Sequence, residues 1–273
     1  MSSFVDRLNA AAARNRSLVC VGLDPWRPSM PIADIAAFNR AIIEATADVA
    51  CAYKPNYAFY EAEGIDGLRA LAATIEAVPH GIPVILDAKR GDIGSTATAY
   101  AKAAFEVWNA DAVTLNPYMG GDTLDPFLAY ADRGSLILTR TSNPGGRDFE
   151  ELPVGEGTPL YEHVTRRAVE WNGKGNVGLV VGATAPDELR RIRAIAGDMP
   201  ILIPGIGTQG GDLEAAVRYG MNAKGLGAVI NSSRGIIYAS KGPAFAEAAR
   251  AAATKLRDEI NEVRARLGFR WPS

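Results

Sequence analysis

Short apolar runs alternate with longer amphipathic stretches along the whole chain. The apolar runs fall at about 18–23, 51–55, 84–89, 112–115, 136–139, 177–181, 201–204 and 225–230. They are brief and apolar at nearly every position, as in parallel strands covered on both faces. Helical periodicity fills the intervals at about 33–50, 64–78, 95–108, 122–131, 159–172, 186–197, 210–220 and 243–267, and a short helix near 3–15 comes before them all. Eight β–α units in this length predict a single-domain (β/α)8 TIM barrel over residues 1–273. A doubly wound sheet is the alternative. One long irregular segment, about 141–157, is rich in Gly and Pro; a loop of that length in a compact domain is usually functional or mobile.

Polar residues cluster where the apolar runs end: Asp24, Lys54 with Asn56, Asp87 with Lys89, Asn116, Thr139 with Ser142, Thr184, Gln209 and Arg234. In a barrel these ends share one rim, the rim that carries active sites. The densest cluster is Asp87-Ala88-Lys89-Arg90-Gly91-Asp92, at the end of the third run. Side chains alternate along a strand, so Asp87 and Lys89 are expected on one side, with Asp92 beyond the strand in a turn opened by Gly91. A structural ion pair at a strand end is the competing reading.

Composition excludes several classes. The net charge of -2 gives no basic field for nucleic acid. Arg190, Arg191 and Arg193 read as a solvated helix face. The N-terminus lacks a signal-peptide pattern and no stretch is long and apolar enough to span a membrane, so the expected location is cytoplasmic. Cys20 and Cys51 lie in apolar runs and are expected as buried free thiols in a reducing compartment. With two histidines, His80 and His163, and no Cys/His cluster, no zinc site is expected. Trp26, Trp108 and Trp171 read as packing residues, Asn116 as a helix or turn cap ahead of a ligand contact, and Thr184 equally as either.

Two glycine-bearing segments follow the last two runs: Pro204-Gly205-Ile206-Gly207-Thr208-Gln209-Gly210-Gly211 and Asn231-Ser232-Ser233-Arg234-Gly235. Backbone N–H groups can approach an anion closely at glycines, and these two loops are the usual phosphate site of such barrels. Arg234 offers a bidentate grip and Gln209 an amide donor. Tight βα turns would also use glycine, yet the pair of loops with an arginine points to a phosphorylated ligand.

Leu86-Asp87-Ala88-Lys89-Arg90-Gly91-Asp92-Ile93-Gly94-Ser95-Thr96 resembles the D-x-K-x-x-D-I-x-x-T signature of the orotidine 5'-phosphate decarboxylase family. Gly22-Leu23-Asp24, Tyr53-Lys54-Pro55, Thr141-Ser142-Asn143-Pro144-Gly145, Gln209 and Arg234 extend the resemblance, in order, over about residues 15–240. The long fifth loop and Asn116-Pro117-Tyr118-Met119-Gly120-Gly121-Asp122 resemble the longer bacterial branch. Ser232-Ser233 before Arg234 departs from the Gly-Arg of the shorter branch. The resemblance implies conversion of orotidine 5'-phosphate to UMP in pyrimidine biosynthesis, with no cofactor and no metal. It implies that Lys89 protonates C6, that Asp87 lies against the departing carboxylate, and that Lys54 and Asp24 hold the ribose and order the charges. It assigns Ser142 to the pyrimidine, and Gln209 and Arg234 to the 5'-phosphate. Asp92 and Thr96 are implied to reach into a neighbouring subunit's site, making a homodimer.

The chemistry fits such an array. Loss of CO2 from C6 leaves an electron pair that the ring delocalises poorly, and most decarboxylases recruit a cofactor as electron sink. Placed charge must do that work here. An ammonium beside the developing carbanion stabilises it more than the ground state and then protonates it. Two like charges ~4 Å apart repel by roughly 4 kcal/mol at an effective dielectric of ~20, which is the stress Asp87 could add; the lysine and its preorganisation carry more weight. Three alternatives remain open at this point. A Mg2+-dependent sugar-phosphate decarboxylase or aldolase of the same superfamily would use the aspartates as ligands. A Schiff-base aldolase would use Lys89 or Lys54. A non-catalytic phosphate-ligand binder would need neither.

Overall fold

The computed structural model describes residues 2–206 and 211–271. Eight parallel strands form the barrel: β1 Val19–Leu23, β2 Ala52–Pro55, β3 Ile85–Arg90, β4 Ala112–Leu115, β5 Gly134–Arg140, β6 Val177–Val181, β7 Ile201–Pro204 and β8 Ala228–Ser232. Their order around the sheet is β2-β1-β8-β7-β6-β5-β4-β3. Parallel bridges from Tyr53 to Val84 and from Asn56 to Asp87 join β2 to β3 and close the ring. The (β/α)8 barrel expected from the alternating pattern is therefore the observed fold.

The strands match the apolar runs because both of their faces are covered. Every residue of β1, β2, β4 and β6 is buried. The eighth strand lies slightly later than expected, at Ala228–Ser232; Gly225 and Gly227 both take positive φ and form the turn before it. The segment expected to be one helix at 122–131 is instead a 3-10 turn, Gly121–Thr123, followed by the short helix Asp125–Leu128.

The first helix, Phe4–Asn15, starts at a capping box in which Ser3 Oγ accepts from the Asp6 N–H and Asp6 Oδ2 accepts from the Ser3 N–H, each at 3.1 Å. It buries Phe4, Leu8, Ala11 and Ala12, and Arg7 ties it to Asp111 Oδ1 at 2.9 Å, just before β4. The last helix, Phe245–Arg266, packs along the helix Ile35–Thr46 and covers the outside of β1. Arg193 corrects one expectation. Arg190 and Arg191 are exposed, but Arg193 turns inward and donates to Gly197 O and Met199 O, each at 2.7 Å. Burial lowers its pKa to about 10.

Candidate active site

The C-terminal ends of the strands surround a cavity of about 520 Å3. Asp24, Lys54, Asp87, Lys89, Ser142 and Arg234 all line it. Six of the residues singled out from sequence, drawn from five strand ends and spread across more than 200 positions, thus share one space.

Asp87 is its hub. Oδ1 accepts from Lys89 Nζ at 2.6 Å and from Thr114 Oγ1 at 3.0 Å. Oδ2 accepts from Lys54 Nζ at 3.0 Å and from Asn56 Nδ2 at 3.4 Å. A carboxylate offers about four lone-pair sites, so Asp87 is saturated and fixed. Lys54 Nζ also lies 3.7 Å from Asp24 Oδ1. Burial pushes the Asp87 carboxyl up, but the Lys54 and Lys89 ammonium groups overcome it and hold the group well below the usual carboxylate range. For Lys54, burial works downward, and Asp24 and Asp87 together raise its pKa above the ordinary lysine value.

Asp87 and Lys89 meet, though not by simple strand alternation. Leu86 pairs with Val113 and Arg90 with Leu115, so Asp87, Ala88 and Lys89 bulge opposite the single residue Thr114. Lys89 adopts φ 45°, a left-handed backbone uncommon for a side chain of its size. That turn brings Nζ back to Asp87 while leaving 44% of the side chain open at the cavity. Arg90 is held between the rings of Tyr57 and Tyr100, with its guanidinium carbon 4.7 and 4.9 Å from the ring centroids. This clamp ties the end of β3 to the segments after β2 and after the Asp92 turn.

Asp24 is set by the frame around β1. Tyr238 Oη donates to Asp24 O at 3.0 Å and accepts from the Trp26 N–H, while Tyr60 Oη donates to Leu23 O at 2.9 Å. Asp24 Oδ1 is buried and accepts no hydrogen bond from a described residue. Gly22 is required here, since a Cβ would lie 1.8 Å from Ser233 Oγ. That close approach seats Ser233 and Arg234 against the end of β1. Arg234 is exposed and makes no ion pair with a described residue.

The segment after β5 is strapped down. Arg140, 6% exposed, donates to Glu150 Oε2 at 2.8 Å and to Glu151 Oε1 at 2.6 Å. Thr141 Oγ1 donates to Glu150 Oε1 at 2.7 Å, and Thr184 Oγ1 donates to Ser142 O at 3.1 Å. Gly182 leaves room for Ser142, whose backbone comes within 2.8 Å of where a Cβ would sit. A two-stranded ribbon, Pro153–Val154 with Thr158–Pro159, shapes the rest of the loop.

Several expected residues lie elsewhere. Asp92 and Thr96, which the resemblance assigns to a neighbouring subunit's site, do not line the cavity of their own chain. Asp92 Oδ1 accepts from the Ile93 N–H at 2.8 Å, Thr96 is exposed, and Ile93 beside them is 63% exposed. Gln209 falls outside the described residues. Asn116 and Thr139 border a neighbouring apolar pocket; Asn116 Oδ1 caps the Tyr118 N–H and Thr139 Oγ1 donates to Ile137 O. Trp26 was expected in the packing but is 55% exposed at the cavity mouth, its ring edge-on to Phe59. Cys20 and Cys51 are buried free thiols, and burial pushes the Cys20 pKa up to about 12. Among the described residues, no group of three or more His, Cys, Asp or Glu side chains could hold a metal ion.

Sequence reasoning missed Thr114, Arg140 and Tyr238. Thr114 left one signal, a lone hydroxyl inside the otherwise apolar β4. The buried state of Arg140 left none, because its partners follow it by 10 and 11 residues across a loop.

A sequence profile of the "Orotidine 5'-phosphate decarboxylase / HUMPS family" matches residues 17–251. An orotidine 5'-phosphate decarboxylase of Dechloromonas aromatica (strain RCB) is 55% identical over 270 residues, covering 96% of this chain and 100% of the relative. The chain belongs to the orotidine 5'-phosphate decarboxylase family. The family enzyme of Thermomicrobium roseum (strain ATCC 27502 / DSM 5159 / P-2) is 52% identical, covering 96% of each chain. Among solved structures, the OMP decarboxylase of Leishmania donovani superposes with a TM-score of 0.86 at 48% identity, covering 96% of this chain and 99% of that one. The family resemblance read from Asp87 to Thr96 is thereby borne out over nearly the whole chain.

Proposed function

We propose that the protein decarboxylates orotidine 5'-phosphate to UMP, as the names of its relatives indicate for them, and that Lys89 is the proton donor. One observation carries the reading. A buried carboxylate, Asp87, is saturated by hydrogen bonds and holds the Lys89 ammonium at the wall of a cavity that also presents Arg234.

The C6–carboxylate bond of the substrate breaks and its electron pair stays on C6. CO2 leaves, and the Lys89 ammonium delivers a proton to C6. The neutral amine then regains a proton from water. Lys89 gives one of its three N–H donors to Asp87 Oδ1, leaving the others for the reacting carbon. The charges are in position before the substrate arrives, so little reorganisation accompanies the reaction. Asp24 Oδ1 and Lys54 Nζ suit the ribose hydroxyls, Ser142 the pyrimidine, and Arg234 the phosphate. Phosphate binding far from C6 can order the loops and so raise turnover as well as affinity. The array needs no cofactor or metal in this reading, so full activity in EDTA is expected. The sugar-phosphate and Schiff-base alternatives are less well supported: no described cluster suits a metal, and Lys54 and Lys89 are both salt-bridged to Asp87.

The decisive test follows the absorbance lost as orotidine 5'-phosphate becomes UMP. Lys89→Ala should be nearly inactive while remaining folded. Retention of more than about a tenth of wild-type kcat, a loss under ~1.4 kcal/mol, would end the proton-donor assignment.

We also propose a homodimer whose partner supplies Asp92 and Thr96. Support comes from their position on an exposed segment outside the cavity, beside the exposed Ile93 and without an ion pair to a described residue. Mixed Lys89→Ala and Asp92→Ala chains should recover up to about a quarter of wild-type activity, because half of randomly paired dimers contain one intact site. No recovery after demonstrated subunit exchange would refute sharing. The one-domain organisation and a cytoplasmic location complete the reading, the latter supported by two buried, unpaired thiols.

A further inference from the structure

The bulge in β3 is filled by one side chain. Thr114, with none of its surface exposed, lies in β4 opposite Asp87, Ala88 and Lys89. Its hydroxyl oxygen accepts from the Ala88 N–H at 3.0 Å and from the Lys89 N–H at 2.9 Å. It donates its own proton to Asp87 Oδ1 at 3.0 Å. A hydroxyl has one donor and two acceptor sites, so all three are in use. Both N–H groups belong to the bulge, where β3 has no register partner in β4 between Leu86 and Arg90. Regular pairing returns at Arg90, whose carbonyl accepts from the Asn116 N–H at 2.8 Å.

We infer that Thr114 is a positioning residue for the decarboxylation: its hydroxyl fixes the left-handed backbone of Lys89 and the rotamer of Asp87 together, and so sets the reach of the Lys89 ammonium. The inference rests on the assignment of Lys89 as proton donor. Without the hydroxyl, the Lys89 N–H loses the partner that anchors its φ 45° backbone. Asp87 would also lose the donor that shares Oδ1 with Lys89 Nζ. Displacing a proton donor by even 1 Å can lower turnover about 100-fold. Thr114 touches the array from beneath and does not line the cavity, so substrate affinity should change little.

Thr114→Ser and Thr114→Val remove opposite halves of the side chain. Positioning predicts that Thr114→Ser keeps kcat within about 3-fold of wild type, while Thr114→Val lowers kcat by about 10-fold or more with KM within about 3-fold. A packing role predicts the reverse, because Val preserves the buried methyl and Ser deletes it. Should Thr114→Val fail to fold, Thr114→Ser against Thr114→Ala gives the same contrast at nearly equal volume, and Ala must be the slower by about 10-fold. Equal kcat for the compared pair overturns the inference, as does a loss confined to KM. If neither Val nor Ala folds, the hydroxyl serves folding and the positioning role is refuted. Lys89→Ala, assayed alongside, separates the two claims. An active Lys89→Ala removes the proton-donor reading itself, whereas an inactive one beside a fully active Thr114→Val removes only the role of Thr114.

Discussion

Asp87 and Arg234 line the same cavity and are held in opposite ways. Asp87 lies in a strand, is almost fully buried, and has four donors on its two oxygens. Arg234 follows β8 at the start of the short helix Arg234–Ile237, is exposed, and pairs with no described residue. In the proposed reaction the first arrangement fixes charge beside the reacting carbon, and the second leaves a cation able to close around the phosphate. Groups that act on the reacting carbon gain from rigidity, because preorganised charge needs no reorganisation during the reaction. Groups that capture a distant phosphate gain from reach.

Four substitutions would break or sharpen this contrast. Lys89→Ala removes the one array member that is half open to the cavity. It should lower kcat by about 1,000-fold or more, ~4 kcal/mol, in the absorbance assay, with an unchanged circular dichroism spectrum. Arg234→Ala should lower kcat/KM by about 100-fold, ~2.7 kcal/mol, and leave Tm within about 1 °C, since an unpaired exposed side chain adds little to stability. An equal fall in Tm for both would erase the distinction between fixed and free charge.

Asp87→Asn reverses that pattern by acting on stability. It leaves buried Lys54 with the longer contact to Asp24, 3.7 Å away, as its remaining ion pair to a described residue and should lower the denaturant-derived stability by about 3 kcal/mol. Its pH dependence follows from the low pKa of Asp87 in the folded state. A carboxyl depressed on folding stabilises fully above its unfolded pKa of about 4, and the contribution fades as pH falls toward the folded value. The stability gap between wild type and Asp87→Asn should therefore be largest near neutrality and shrink as pH drops below about 4. A gap that widens in acid would show that Asp87 is not ionised in the fold.

The smallest effect belongs to the loop. Glu150→Gln weakens the Arg140 strap by about 1 kcal/mol and should hasten proteolysis within 145–157 while changing kcat by less than about 3-fold. A larger loss of turnover would move Arg140, which also lines the cavity, from support to function.

The barrel was legible because parallel strands covered on both faces are apolar at nearly every position, and β1, β2, β4 and β6 are, with Lys54 in β2 and Thr114 in β4 as the exceptions. Asp24, Lys54, Asp87, Lys89, Ser142 and Arg234 were legible because polar residues ending apolar strands are conspicuous. The backbone of Lys89 was not, since regular alternation and a two-residue bulge both bring its amine near Asp87. Arg193 was misread because a cation among exposed arginines carries no mark that it folds back onto the carbonyls of Gly197 and Met199. Trp26 was misread because a large aromatic ring signals packing unless its surroundings are known.

The order of residues by itself determined eight strand-and-helix units and the placing of acids, amines and an arginine at strand ends, because periodicity and side-chain polarity are local properties. Only the tertiary structure decided that Thr114 fills the β3 bulge and that Arg140 straps the loop after β5. Those facts depend on which strands become neighbours, and hydrogen bonds across 10 to 27 positions leave no periodic trace in a sequence.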